Sequence, residues 1–249
     1  MPTIRIVNGE AVAATDYEKY MRTDKLFALL PDRREIVSHG EFMFHISHLT
    51  AELWMQVIFH DVDTAVSHLA RDELSQATDL FQRAAMIEEH LANELALVEK
   101  MPPLDYALIR HNTLGKGRGQ DSPGFIQMLG LGDVIWPHVV SALERHQTTI
   151  VDVLTAPDAQ FEMYVLLRSL FELDQWFQTW RFGHLRLAER QMGARARTLN
   201  GSRVDGLMNG VRQRMLPELW DAVNEFSERT TARAAQNRGR LEPPSTTSA

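Results

Sequence analysis

The sequence predicts an all-α protein, a bundle of long helices with two loops kept for function. Apolar residues recur at steps of three and four along several long stretches. Alternating apolar and polar runs of the kind that form half-buried strands are nearly absent. Glycine and proline fall mostly between the periodic stretches, as punctuation between helices. Together these observations describe helix packed on helix.

Residues 1–14 read as a polar, β-branched lead or arm. The stretch TDYEKYMRTDKLFALL, 15–30, predicts a first helix with Thr15 or Asp16 as N-cap and Pro31 as its stop. Residues 41–70 hold the longest periodic run, in which Phe44, His48, Ala51, Met55 and Ile58 share one face. A third helix covers about 72–100 and ends before Met101-Pro102-Pro103; DYALIRHN, 105–112, is a short helical piece. GKGRGQDSPG, 115–124, with four glycines and a proline, is the clearest loop in the chain. A helix is expected over 133–155 with Pro137 near its start, and a long one over 161–193 closed by Gly193. A second glycine-containing loop follows, then a last helix interrupted at Pro217. This reading makes 1–230 one helical domain and 231–249, which ends LEPPSTTSA, a disordered tail.

Composition narrows the function. A formal net charge of −7 argues against a general phosphate-binding surface, and the basic clusters at 194–203 and 232–240 are short and local, so no nucleic-acid partner is expected. The absence of cysteine removes disulfides, thiolate metal sites and a cysteine nucleophile. With no signal peptide and no stretch approaching the ~20 apolar residues of a membrane span, the expectation is a soluble cytoplasmic protein with no membrane partner.

Two histidines carry the chemical question. In WRFGHLRLAER, 180–190, His184 falls on one helical face with Leu173, Phe177, Trp180 and Leu187. One reading is a core histidine satisfied by a backbone carbonyl. The other is an axial ligand to heme iron, since neutral imidazole ligates iron well and the macrocycle needs an apolar, aromatic wall. His48 lies on the face of Phe44, Ala51 and Met55, with His45 three residues away. The matching Glu-x-x-His units of a di-iron bundle are missing. HExxH, P-loop, GxGxxG and GxSxG motifs are missing too. Arg110, at a helix end beside the glycine loop, reads either as a surface arginine or as a bidentate anchor for a small carboxylate.

Five blocks in order give the chain a family resemblance. HISHLTAELWMQVIF (45–59) is similar to the "THQAYELWFKQIIFE" block of the tryptophan 2,3-dioxygenase superfamily, and PPLDYALIR (102–110) to the block ending "DFxxFR". WRFGHLRLAERQMG (180–193) resembles "WRxxHxxMVxRxIG", LPELWDAV (216–223) the family's tail, and TDYEKYMRTDKL (15–26) its "YxxYLxLDxL" block. The resemblance spans about residues 15–225 and implies a helical fold around heme b. It makes His184 the proximal iron ligand and His48 the distal histidine, beside the substrate's ring nitrogen or hydroxyl. Phe44 and Tyr106 would line the aromatic pocket, Arg110 would pair with the substrate carboxylate, and Thr198, fourteen residues past His184, would touch the amino-acid backbone. Tyr17 and Tyr20 would reach a neighbouring subunit's pocket in a homotetramer or homodimer with exchanged N-terminal segments. The implied reaction is insertion of oxygen from O2 into the ring of an aromatic amino acid, the indole of L-tryptophan or a derivative, as a dioxygenation or a related mono-oxygenation.

The departures fall in the loops. KGRGQD (116–121) stands where the family has "ASGFQS", and RTLNGSR (197–203) where it has "GTGGSSG". Because these loops cover the substrate, L-tyrosine hydroxylation stays open as a second enzymatic reading. A non-catalytic helical binding or oligomerisation protein is the rival of another class.

Overall fold

This computed structural model describes residues 5–7, 10–12, 14–115, 117, 119–197, 204 and 207–241. The N-terminal lead forms a small antiparallel hairpin, β1 (Arg5–Val7) with β2 (Glu10–Val12), in which Ile6 faces Ala11. It is the one sheet among the described residues, and everything after it is helical. The predicted helix over 15–30 is two helices, α1 (Asp16–Met21) and α2 (Thr23–Ala28). Thr15 caps α1 in a reciprocal capping box with Glu18, as its hydroxyl and spacing allow. The break is at Arg22, whose φ of 53° is left-handed. Neither helix buries a residue.

The frame is α3 (His39–Ala70), α4 (Leu74–Val98) and, later in the chain, α9 (Phe161–Met192), close to the ranges expected from their periodicity. Asp72, left-handed at φ 63°, turns α3 back onto α4. Cross-links in opposite register show the two to be antiparallel: Thr50 donates to Glu94, and further along Arg83 pairs with Asp61. The start of α3 is pinned to α5 (Pro103–Asn112), because Gly40 N donates to Asp105 Oδ2 and Thr113 Oγ1 donates to Glu41 Oε1. Gly40 gives close approach there, since a Cβ would stand 2.7 Å from Met101 Cγ and would have to displace it.

The glycine loop contains a short 3₁₀ turn, Gly119–Asp121, and leads into α6 (Pro123–Leu129), capped by Ser122. The single helix expected over 133–155 is α7 (Leu131–Arg145) and α8 (Ile150–Thr155). Gln147, left-handed at φ 51°, breaks it, and Thr149 caps the new helix at Asp152 N. No stretch was expected to approach a membrane span, but Pro123–Arg145 is apolar enough to cross one by length and composition. Here it divides at Gly130 into α6 and α7, and Leu131, Ile135, Val139, Ala142 and Leu143 are buried in the core.

After α9, closed by Gly193 at φ 88°, come α10 (Leu207–Arg212) and α11 (Pro217–Leu241). Pro217 opens α11 rather than interrupting it, since Pro suits a first helical turn. Of the tail expected to be disordered over 231–249, residues up to Leu241 are helical in α11, and 242–249 lie outside the described residues. The Ala- and Arg-rich stretch 232–240 has the intrinsic propensity to continue a helix despite its charge. The core runs between the long helices and α7, with Ile58, Phe81, Leu91, Ile135, Leu166 and Phe177 buried at its centre.

Candidate functional site

At one end of the frame, helices α3, α4, α5 and α9 splay around a cavity of about 410 Å³. Phe44, His48, Tyr106, Arg110 and His184 all line it. They come from three helices, and each reaches the cavity because it lies on the inward stripe of its helix. The walls are mostly apolar, with Leu91, Leu95, Val98 and Met101 from α4 and its end.

His184 is held by aromatic stacking. Its ring lies 5.5 Å from that of Trp180, nearly parallel at 13°, and Trp180 in turn is stacked at 6° on Phe177. Phe125 of α6 packs on the other edge of Trp180 at 5.5 Å. Among the described residues neither ring nitrogen of His184 has a hydrogen-bond partner. A satisfied core histidine would have one. Burial, then the nearby His48, push its pKa down to about 4, so it is a neutral imidazole with lone-pair character available. The cavity side opposite Nε2 is formed by Gly119, where a Cβ would lie 3.8 Å from that nitrogen.

His48 is exposed to the cavity and its pKa is lowered, chiefly by burial within the surrounding protein. Its Nδ1 is 2.7 Å from the carbonyl oxygen of Phe44. A carbonyl can only accept, so Nδ1 carries the proton and Nε2 is the acceptor. The Phe44 ring packs on His48 at 4.1 Å and on Tyr106 at 6.0 Å, which makes a continuous aromatic wall. Burial pushes the Tyr106 phenol upward, against the opposing pull of Arg110, so it stays protonated.

Arg110 is half-buried on the cavity wall, and its Nη2 donates to the backbone carbonyl of Arg197. Thr198 and most of the loop 197–203 lie outside the described residues, as does Arg118. Tyr17 and Tyr20 are not brought to this cavity; they stand on α1 at 69% and 84% exposure.

The tryptophan 2,3-dioxygenase family model matches residues 6–131, half of the chain. The chain belongs to the tryptophan 2,3-dioxygenase family. It is similar to the tryptophan 2,3-dioxygenase of Bacillus thuringiensis (strain Al Hakam), at 24% identity over 82% of this chain and 90% of that protein. The tryptophan 2,3-dioxygenases of Myxococcus xanthus (23% identity, 86% of this chain, 90% of the relative) and Pseudomonas aeruginosa (26%, 83% and 88%) are comparably similar. The family match contains Phe44, His48, Tyr106 and Arg110; His184 lies beyond it, so its role is argued from the cavity.

A heme suits this tryptophan 2,3-dioxygenase family cavity on the chemistry of its donors. It offers one neutral, unbonded imidazole stacked on an aromatic column, a second neutral histidine, and apolar walls. Residues that the sequence did not single out also meet here. Glu52, one turn past His48, accepts from Ser122 Oγ and, at 3.0 Å, from Gly124 N. Ser122 and Gly124 read as loop residues in the sequence, and their link to Glu52 on α3, about 70 positions away, leaves no local signal there.

Proposed function

We propose that this oxidoreductase is a heme-dependent oxygenase that inserts oxygen from O2 into the ring of an aromatic amino acid, the indole of L-tryptophan or a tryptophan derivative. The observation that carries the reading is His184: a neutral imidazole with no hydrogen-bond partner among the described residues, presented to an apolar cavity that His48 also lines, in a chain of this family. His184 would hold the iron of heme b, which, when bound, supplies the site at which O2 is activated.

The chain's own residues do the rest. Arg110 pairs with the substrate carboxylate as a charge-assisted anchor, and Thr198 holds the amino-acid backbone. Anchoring the remote end converts binding energy into orientation of the ring. Phe44 and Tyr106 fix the plane of the ring and keep water out. His48 Nε2 accepts a hydrogen bond from the indole N–H and holds it at one position. The same acceptor serves a phenolic O–H equally well, which favours L-tyrosine hydroxylation as the second reading. We further propose one domain over 1–230, a cytoplasmic location, and a homotetramer or homodimer in which Tyr17 and Tyr20 reach a neighbour's pocket.

The test is an anaerobic optical titration of the reduced protein, first with L-tryptophan and then with L-tyrosine, followed by air. A Soret band shifted by one amino acid, with an oxygenated product after air, supports the reading and names the substrate. No Soret band after reconstitution with hemin would overturn it and favour a helical binding protein. His184→Ala is expected to lose the Soret band or hold heme loosely; an unchanged ferrous spectrum would remove His184 as the ligand.

A further inference from the structure

The cavity is closed on one side by the glycine turn, and Glu52 is the side chain that holds the far end of that turn. Glu52 lines the cavity on α3, one helical turn past His48, so the two side chains share a rigid helical face. Its carboxyl group accepts two hydrogen bonds from a different element: Oε1 from Ser122 Oγ, and Oε2 from Gly124 N at 3.0 Å. The Ser122 hydroxyl also accepts from Phe125 N, at 3.2 Å, as the N-cap of α6. One carboxyl thus satisfies both a cap residue and an orphan N–H of the first turn.

The fit is close. A Cβ at Gly124 would stand 2.7 Å from Glu52 Oε2 and 2.7 Å from Met55 Sδ, so a larger residue at 124 would push the Glu52 carboxyl off its present hydrogen bonds. Directly before this tether comes the 3₁₀ turn Gly119–Asp121, and directly before α6's core contacts comes Phe125, packed on Trp180. Gly119 faces His184 Nε2. The tether therefore sets two things at once: the turn over His184 and the aromatic edge behind it.

We infer that Glu52 is a positioning residue of this site, acting through Ser122 and Gly124 to register the 3₁₀ turn Gly119–Asp121 against His48 and His184. It links the α3 side of the cavity to the α9 side through a loop whose sequence departs from the family pattern, so that loop variation is carried on a fixed anchor. The inference rests on the reading that this cavity is the reaction site, but the tether itself is measurable without any ligand.

Hydrogen exchange read by mass spectrometry on the full chain, before and after hemin loading, tests it. Glu52→Ala is expected to speed exchange of the amides of 119–125 by roughly tenfold or more, since each lost buried hydrogen bond is worth about that factor in local opening. Exchange in α7 and in the α4 core stays as in the parent. Glu52→Gln, which keeps one carbonyl acceptor, falls between, and Ser122→Ala reproduces part of the effect. In hemin-loaded protein the same series raises KM more than it lowers kcat, as expected when one wall of the cavity loosens. Unchanged exchange at 119–125 in Glu52→Ala would overturn the inference, and so would faster exchange spread evenly over all helices, which would mark Glu52 as a general stabiliser. If exchange changes as expected but no amino acid is turned over, the tether stands and the enzymatic reading falls.

Discussion

Glu88 stands apart from the other buried acids. Asp61 is ion-paired with Arg83, Glu41 accepts from Val37 N and Thr113 Oγ1, and Asp174 accepts from four donors. Glu88 is 1% exposed on α4, and both of its carboxyl oxygens lack a hydrogen-bond partner among the described residues. Burial alone pushes its pKa up to about 8. Below the ordinary carboxyl pKa of 4.5 the group is protonated in both folded and unfolded chains. Between 4.5 and about 8 only the unfolded chain ionises, so folding stability falls as pH rises through that window and levels off above it. The melting temperature of the parent should therefore drop between pH 5 and pH 8. Glu88→Gln, which cannot ionise, should lose most of that drop, and the gap between the two proteins should grow by roughly 2–4 °C for each kcal/mol involved. Melting curves whose pH dependence is the same in both proteins would show that Glu88 is ionised or solvated in the fold.

At the scale of elements, the C-terminal part of α9 does two jobs with one helix. Its inward stripe carries Trp180 and His184 into the cavity, while Asp174, two turns earlier, organises the start of α11. Asp174 is fully buried and accepts from Met215 N (2.9 Å), Leu216 N (3.3 Å) and Trp220 Nε1 (2.7 Å), with Gln178 Nε2 at 2.9 Å. Those backbone donors belong to the turn before Pro217, and Gly132 lets that turn approach α7, since a Cβ there would sit 1.9 Å from Met215 O. Asp174→Ala leaves several buried donors unsatisfied and should cost on the order of 3 kcal/mol, read as a lower urea midpoint with an unchanged m-value. A loss under ~0.5 kcal/mol would mean that water replaces the carboxyl without strain. None of this network was legible in the sequence, because it joins residues about 40 positions apart through backbone groups that carry no residue signal. The long helices were legible, because α3, α4 and α9 each keep an apolar stripe for many turns. The missed breaks share a cause: Arg22 and Gln147 are left-handed without being glycine, so nothing in composition marks them. His48 and His184 could be named in advance because each lies on a periodic helical face, and Arg110 because it ends a helix beside the glycine loop; the Glu52 tether could not, because its partners lie in a loop.

At the scale of the whole molecule, the surface that α1 and α2 present has no cover among the described residues. Tyr17, Tyr20, Met21, Leu26, Phe27 and Leu29 are all between 41% and 84% exposed, and neither helix buries any residue. Single exposed apolar side chains are ordinary, but six within thirteen residues along α1 and α2 and at the C-cap of α2 are a surface made to be covered. A second copy of the chain is the occupant that the exchanged-arm proposal names, and it would deliver Tyr17 and Tyr20 to a cavity that its own arm does not reach. Removing residues 1–30 separates this from a purely structural arm. The full chain should run as an oligomer by light scattering, and the truncated one should dissociate toward smaller species. If the arm also completes the neighbour's pocket, the double variant Tyr17→Ala, Tyr20→Ala should stay assembled, keep its Soret band on hemin loading, and lose affinity for the amino acid by roughly tenfold or more, the worth of about 1.4 kcal/mol of lost aromatic contact. A monomeric full chain would end the exchange proposal. An assembled double variant with unaltered amino-acid affinity would keep the assembly but confine the arm to holding subunits together, leaving the pocket to Phe44, Tyr106 and Arg110 of a single chain.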